Sequence, residues 1–146
     1  MNEERRLKLA KIVNNLRKNL RLKLDLKEFE NRLRLQKYVF LLKKFGVDLG
    51  YSYNMYFYGP YSPDLAKDYY NLPETKEEEE LPQEFYNLVK GKSSRWLELA
   101  TTLIMIKDGF KSFDEEKVIQ NVAKSKSESP KKLRKIYNEL REAKVI

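Results

Sequence analysis

The sequence predicts a mainly α-helical protein, a compact bundle of about six to seven helices that carries a small β-hairpin. Apolar side chains recur at intervals of three and four residues through most of the chain, which is the helical period. One aromatic stretch, residues 51–58, instead alternates with a period of two, as a strand does. The length of 146 residues suits one domain, and no internal repeat is evident. We therefore expect residues 1–146 to fold as a single domain.

The first helix is indicated by four apolar residues on one face. They are Leu9, Val13, Leu16 and Leu20. The rest of this segment is rich in Lys and Arg, so residues 1–24 form a basic N-terminal helix.

A second helix is expected to begin near Asp25, because an aspartate carboxylate can cap a helix start. It should end at Gly46, which can adopt the left-handed conformation of a C-terminal cap. Residues 38–42 are apolar almost all round, which predicts a central, buried helix. One side of this helix carries Phe29, Leu33, Gln36 and Phe40.

The alternating stretch 51–58 is expected to be one strand of the hairpin, with residues 47–49 as its partner and Gly59-Pro60 as its end. Ser62 should then cap a third helix that has Pro63 at its first position. Among the aromatic residues, we expect Tyr53, Phe57 and Tyr69 to face the core. The opposite face, with Tyr56 and Tyr58, is better placed for contact with a partner.

Residues 74–81 lie between two prolines and contain four consecutive Glu, which predicts an exposed loop. Helical patterns follow at residues 83–90, 95–107 and 114–124, and a last helix starts at Ser129-Pro130. The final helices, joined by a linker at residues 125–128, resemble a helix-turn-helix in a winged-helix setting. In that geometry the first residues of the last helix reach the major groove of DNA.

The charged residues restrict the function classes. The chain has 30 Lys and Arg, 22 Asp and Glu, and neither His nor Cys. This composition excludes nucleophile pairs that use His, zinc sites of imidazole or thiolate, and disulfides. The excess of Lys and Glu is thermophile-like. The positive excess lies in residues 1–50 and 91–146, whereas residues 51–90 are net negative. Nucleic-acid binding, if it occurs, therefore belongs to the terminal helices.

Two short motifs resemble a known family. Leu35-Gln36-Lys37 precedes a hydrophobic helix, and Tyr58-Gly59-Pro60-Tyr61-Ser62 follows an aromatic strand. This order is similar to that of YwgA-like proteins and of the related Panacea, or SocA-like antitoxin, domains. The resemblance concerns the region 25–146, mainly from residue 30 onward, and leaves the basic helix outside.

The resemblance implies a compact, mostly helical domain that neutralises a toxin by direct contact or acts as an adaptor. The matching residues are Gln36, Lys37, Gly59, Pro60 and Ser62. We expect their roles to be structural as much as functional. If Gln36 is buried, its amide needs a partner, for which we expect a backbone group near the Gly59 turn.

We therefore predict a non-enzymatic regulatory or interaction protein that binds a protein partner through residues 51–70, with Tyr56, Tyr58 and Tyr61 in contact. The alternative is a DNA-binding regulator that uses the last helix, helped by the basic first helix. Its candidate DNA-contacting residues are Lys131, Lys132, Arg134 and Lys135. A metal-dependent enzyme using Asp64 and Asp68 is a third interpretation, which we do not adopt because carboxylates one turn apart usually serve the helix itself.

We expect no cofactor and no bound metal, and a homodimer is left open. The chain begins without the apolar segment of a signal peptide, and its longest apolar run is too short to span a bilayer. The prediction is accordingly a cytoplasmic protein without membrane association.

Overall fold

A computed structural model describes residues 2–146. It confirms the mainly α-helical fold with one small antiparallel β-hairpin. In chain order the elements are α1 (Asn2–Leu20), α2 (Phe29–Lys44), β1 (Asn54–Tyr56), β2 (Gly59–Tyr61), α3 (Pro63–Tyr69), α4 (Gln83–Val89), α5 (Ser94–Gly109), α6 (Glu115–Lys126) and α7 (Pro130–Glu142).

The core is built on the contact between α2 and α5. Residues 35–42 of α2 are all buried, which confirms the predicted burial of residues 38–42. Helix α5 also packs against β2, α6 and α7, so it connects the hairpin to the C-terminal helices. Its buried Thr101 hydroxyl donates to the carbonyl of Leu97 at 2.7 Å, so this polar group is satisfied within the helix.

Helix α2 begins at Phe29, four residues later than expected. The Asp25 carboxylate does not cap a helix; it accepts a hydrogen bond from the backbone N–H of Lys27 at 3.0 Å and so forms a turn. The predicted end is confirmed. Gly46 has φ +88° and donates to the carbonyl of Lys43, and Val47 donates to Leu42, which is the paired bonding of a Schellman cap.

The hairpin has a different partner strand from the one expected. Strand β1 pairs with β2, with Tyr56 opposite Gly59, so the predicted pairing with residues 47–49 is wrong. Val47 is part of the C-terminal cap of α2. The Asp48 carboxylate accepts a bond from the N–H of Gly50 at 2.8 Å, so residues 48–50 form a turn and not a strand. Gly59-Pro60 consequently belongs to the second strand instead of ending the first.

The later helices begin at side-chain caps. The Ser62 hydroxyl accepts from the N–H of Leu65 at 3.2 Å, and Pro63 occupies the first helical position, as predicted. Ser93, Asp114 and Ser129 cap α5, α6 and α7 in the same way. Because α6 continues to Lys126, only residues 127–129 connect it to α7, a shorter linker than the predicted 125–128.

The basic helix α1 packs on its own domain, mainly on α3. Asp68, on α3, is 2% exposed and accepts bonds from Arg5 at 2.8 Å, from Arg6 at 3.1 Å and from the Tyr51 hydroxyl at 2.6 Å. Burial alone would raise the pKa of Asp68, but these hydrogen bonds outweigh it and hold the pKa below its ordinary value. Asp68 is thus occupied by structural partners and is not free to bind a metal ion with Asp64.

Residues 74–81 form the predicted non-helical segment, which lies along α1. The Asn14 amide donates to the carbonyls of Thr75 at 2.8 Å and Glu77 at 2.9 Å. Lys11 and Lys18 form ion pairs with Glu77 and Glu78. This acidic segment therefore neutralises part of the basic helix.

Among residues 2–146, both strands precede α3, and α6 and α7 are consecutive helices that pack against each other. No helix in this described part of the chain has the combined length and apolar character that crossing a bilayer requires.

Replacing Asp68 tests the connection between α1 and α3. We expect Asp68→Ala to lower the free energy of unfolding by about 3 kcal/mol, because it leaves two arginines and a buried tyrosine hydroxyl without their acceptor. The matched change Asp64→Ala, at an exposed position on the same helix, should cost less than about 1 kcal/mol. Urea unfolding followed by circular dichroism measures both, and equal losses would contradict this role of Asp68.

Candidate interaction surface

The hairpin is attached to α2 by a buried polar pair. Gln36, on α2, is fully buried; its amide N–H donates to the Ser62 carbonyl at 3.0 Å, and its carbonyl accepts from the Ser62 N–H at 2.9 Å. The side chain thus bonds both backbone groups of one residue, as a neighbouring strand would. This confirms the predicted backbone partner for Gln36 and locates it at Ser62.

Lys37 makes the second attachment. Its side chain is 2% exposed, and its ammonium donates to the Pro60 carbonyl at 2.8 Å. Desolvation is the main influence on this group and lowers the pKa of Lys37 to about 8, although the nearby Glu98 carboxylate acts in the opposite direction. The two polar residues of the first motif therefore bond three backbone groups of the second, two at Ser62 and one at Pro60.

Gly59 allows β2 to approach α5 closely. Its φ of +95° is a conformation that L side chains rarely adopt, and a Cβ atom there would lie 3.0 Å from the Thr102 hydroxyl oxygen. One junction of α2, β2 and α5 accordingly contains all the residues of the two motifs that were singled out: Gln36, Lys37, Gly59, Pro60 and Ser62. Their contacts are structural, and they position the hairpin.

The hairpin tip is connected to α6. The Lys126 ammonium donates to the Phe57 carbonyl at 2.8 Å and to the Glu98 carboxylate at 2.7 Å. Arg95 pairs with the same carboxylate and with Glu128. This network ties the turn at residues 57–58 to α5 and α6, so the exposed tip has a defined position.

Aromatic rings are exposed at and beside this tip. We call them the aromatic surface, and its members are Phe29, Tyr56, Phe57, Tyr58 and Tyr70. The Tyr58 ring contacts Phe29 and Phe57 edge-on, with centroid distances of 5.5 and 4.9 Å. Tyr56 contacts the half-buried Tyr61 at 5.4 Å. Apolar residues exposed in a cluster, unlike isolated ones, mark interaction sites.

The structure agrees with the prediction that Tyr56 and Tyr58 are exposed and that Tyr69 is buried. Tyr53, which was also predicted to face the core, packs against it but is only half-buried. The prediction for Phe57 is wrong, because its side chain is 82% exposed instead of facing the core. Phe57 is in the two-residue turn, not in a strand, so the alternating pattern does not apply to it.

Phe29 and Tyr70 were missed as surface residues. Phe29 was placed on the same side of α2 as Gln36, but it is the first residue of the helix and extends past the core. The Arg32 guanidinium lies 5.7 Å from the Phe29 ring centre and 5.9 Å from that of Tyr70, so it joins the two rings. Aromatic residues at helix ends next to charged neighbours are the sequence signal that could have indicated them.

The candidate DNA-contacting residues lie on the first two turns of α7. Lys131 and Lys135 are exposed and have no carboxylate partner within residues 2–146. Arg134 and Lys132 instead pair with Glu116 and Glu128. On the helper helix α1, Arg5 and Arg6 are bound to Asp68, which leaves fewer cations for a nucleic acid.

No family model, curated protein or solved structure matches this chain. The resemblance of its two motifs to YwgA-like and Panacea domains therefore stays a prediction.

The junction can be tested at its glycine. We expect Gly59→Ala to lower the free energy of unfolding by about 3 kcal/mol, because a backbone cost of about 1 to 2 kcal/mol adds to a clash with Thr102. Gly46→Ala is the control, since Gly46 has a similar φ but nothing within 4 Å of the added atom. It should cost only about 1 kcal/mol.

Adding Thr102→Ala should restore part of the stability lost in Gly59→Ala, because it removes the oxygen that the new methyl group meets. Denaturant unfolding of the single and double variants measures this coupling. Equal costs for Gly46→Ala and Gly59→Ala, with no rescue, would contradict the close packing of β2 on α5.

Proposed function

We propose that this protein is a non-enzymatic interaction protein that binds a protein partner through the aromatic surface. The observation that carries the proposal is the 82% exposure of Phe57 at a tip held by Lys126. An exposed apolar side chain on a backbone that is already held in place can bind with a smaller loss of conformational entropy, because the backbone does not have to be ordered on binding. Tyrosines are also enriched among the residues that dominate protein interfaces, which supports roles for Tyr56, Tyr58 and Tyr61.

An antitoxin-like role is the more specific form of this proposal. It is supported by the resemblance of residues 35–37 and 58–62 to Panacea motifs, together with an exposed aromatic surface that adjoins them. A partner of this kind should arrest growth when it is produced alone, and this chain should relieve the arrest.

Photocrosslinking tests the surface directly. A benzoylphenylalanine residue is placed at position 57 or, as a control, at position 110, where Phe110 is an exposed ring outside the aromatic surface. In the native cells we expect a defined protein to be captured from position 57 and not from position 110. Tyr56→Ala and Tyr58→Ala should each weaken binding of that protein at least tenfold, and Phe110→Ala less than twofold.

Capture of the same proteins from both positions would contradict the proposal. So would unchanged binding by Tyr56→Ala and Tyr58→Ala in variants whose circular dichroism shows that they fold. Growth rescue by the wild-type chain, lost in Tyr58→Ala, supports the antitoxin-like form, whereas a captured protein that does not affect growth supports an adaptor.

DNA binding by α6 and α7 is a second candidate. It is favoured by the three-residue connection at 127–129, which is the usual length of the turn in a helix-turn-helix, and by Lys131 and Lys135, which have no carboxylate partner in the described part of the chain. Both lysines are near the N-terminus of α7. In a helix-turn-helix, the N-terminal residues of the recognition helix are the ones that contact DNA.

A salt series with duplex DNA tests this candidate. Affinity should fall steeply with salt, and Lys131→Glu with Lys135→Glu should reduce the slope of log affinity against log salt by about 2. Lys76→Glu with Lys111→Glu, an equal charge change at two exposed loop positions, is the control and should affect the slope far less. No measurable binding at low salt, or equal effects of both changes, would reject this function.

A further inference from the structure

A cavity of about 360 Å³ opens between the start of α2, the hairpin tip and the start of α5. Its walls include the apolar side chains of Phe29 and Leu33 and the ring of Tyr58. Arg34, Lys37 and Arg95 also line it, and Lys37 is the most buried of these residues. The volume lies within the range of pockets that bind small organic molecules.

Lys37 has unused hydrogen-bonding capacity at the buried end of this cavity. An ammonium group has three N–H donors, but within residues 2–146 the only acceptor of Lys37 is the Pro60 carbonyl. A buried charge with so few partners is costly, as its lowered pKa of about 8 also indicates. A ligand oxygen in the cavity could supply the missing acceptor.

The two acidic residues that line the cavity are already paired with neighbouring groups. Glu98 pairs with both Arg95 and Lys126, and Glu30 accepts a bond from the Ser94 hydroxyl at 2.8 Å. Arg34 donates to the Tyr38 hydroxyl and the Lys92 carbonyl, so it has no carboxylate partner in the described residues. The lining therefore carries three cations, Arg34, Lys37 and Arg95, and two carboxylates, Glu30 and Glu98. Its net charge of +1 beside apolar walls suits a ligand with a single negative charge.

From this arrangement we propose that the cavity binds an organic monocarboxylate, whose carboxylate accepts from the Lys37 ammonium and whose apolar body packs against Phe29, Leu33 and Tyr58. The carboxylate belongs either to a free small acid or to the C-terminal residue of a peptide. The cavity shares Phe29 and Tyr58 with the aromatic surface, but its ligand is distinct from the proposed protein partner, and Tyr56 and Phe57 do not line it.

The test compares ligands of one shape and different charge. The probes are 3-phenylpropanoate, 3-phenylpropylamine and the peptide N-acetyl-Gly-Gly-Phe as its free acid and as its amide. We expect 3-phenylpropanoate to bind at least tenfold more tightly than the amine, or the peptide acid to bind at least tenfold more tightly than the peptide amide. Calorimetry and shifts of backbone amide NMR signals measure the affinities. Binding of 3-phenylpropanoate identifies a free acid as the ligand class; binding of the peptide acid alone identifies a C-terminus.

Two variants examine the site itself. Lys37→Met removes the ammonium and Leu33→Trp fills the cavity while keeping Lys37, so each should weaken acid binding at least tenfold. Phe57→Ala, outside the cavity, should change it less than twofold. It should still impair capture of a protein partner, which separates failure of this inference from failure of the proposed function.

Three results would overturn the proposal. The first is no binding of either acid at about 10 mM, which is about ten times a Kd of 1 mM. The second is equal binding of the acids and their counterparts. The third is acid binding that survives in a folded Lys37→Met or Leu33→Trp protein.

Discussion

The attachment of β2 to α2 through Gln36 and Lys37 is the interaction on which the rest of the surface depends. A two-stranded hairpin is marginal by itself, so its position must come from what it packs against. Here a buried amide bonds both backbone groups of Ser62, and a buried ammonium bonds the Pro60 carbonyl. An unpaired buried polar group costs free energy, so any hairpin position that breaks these bonds is disfavoured.

The same junction explains how apolar residues can remain exposed without disorder. Gly59 brings β2 against α5, and Lys126 holds the turn from the side of α6. The strands therefore leave the core at a fixed place, and the rings of Phe57 and Tyr58 extend beyond it. Lys37 contributes to both features of interest, since it supports the hairpin through Pro60 and also lines the adjoining cavity.

Much of the positive charge of α1 is paired within the fold. The net charge of the chain is +8, which alone indicates affinity for polyanions. Part of this charge is used internally, because Arg5 and Arg6 bind Asp68 and the acidic segment 74–81 lies along α1. Composition therefore overstates the positive charge that α1 presents, whereas Lys131 and Lys135 at the start of α7 are exposed and form no ion pair within residues 2–146.

Sequence reasoning predicted the helical fold class, the Ser62 cap, the start of the last helix at Ser129-Pro130 and the need of Gln36 for a backbone partner, because each follows from local spacing or from one residue's hydrogen-bonding capacity. It misplaced the partner strand and the Phe57 ring, because an alternating pattern predicts a strand without specifying where a two-residue turn interrupts it. Three features exist only in the folded structure: the aromatic surface, the pairing of α1 with Asp68 and the cavity beside Lys37. These depend on contacts between residues far apart in the chain, which no local pattern encodes.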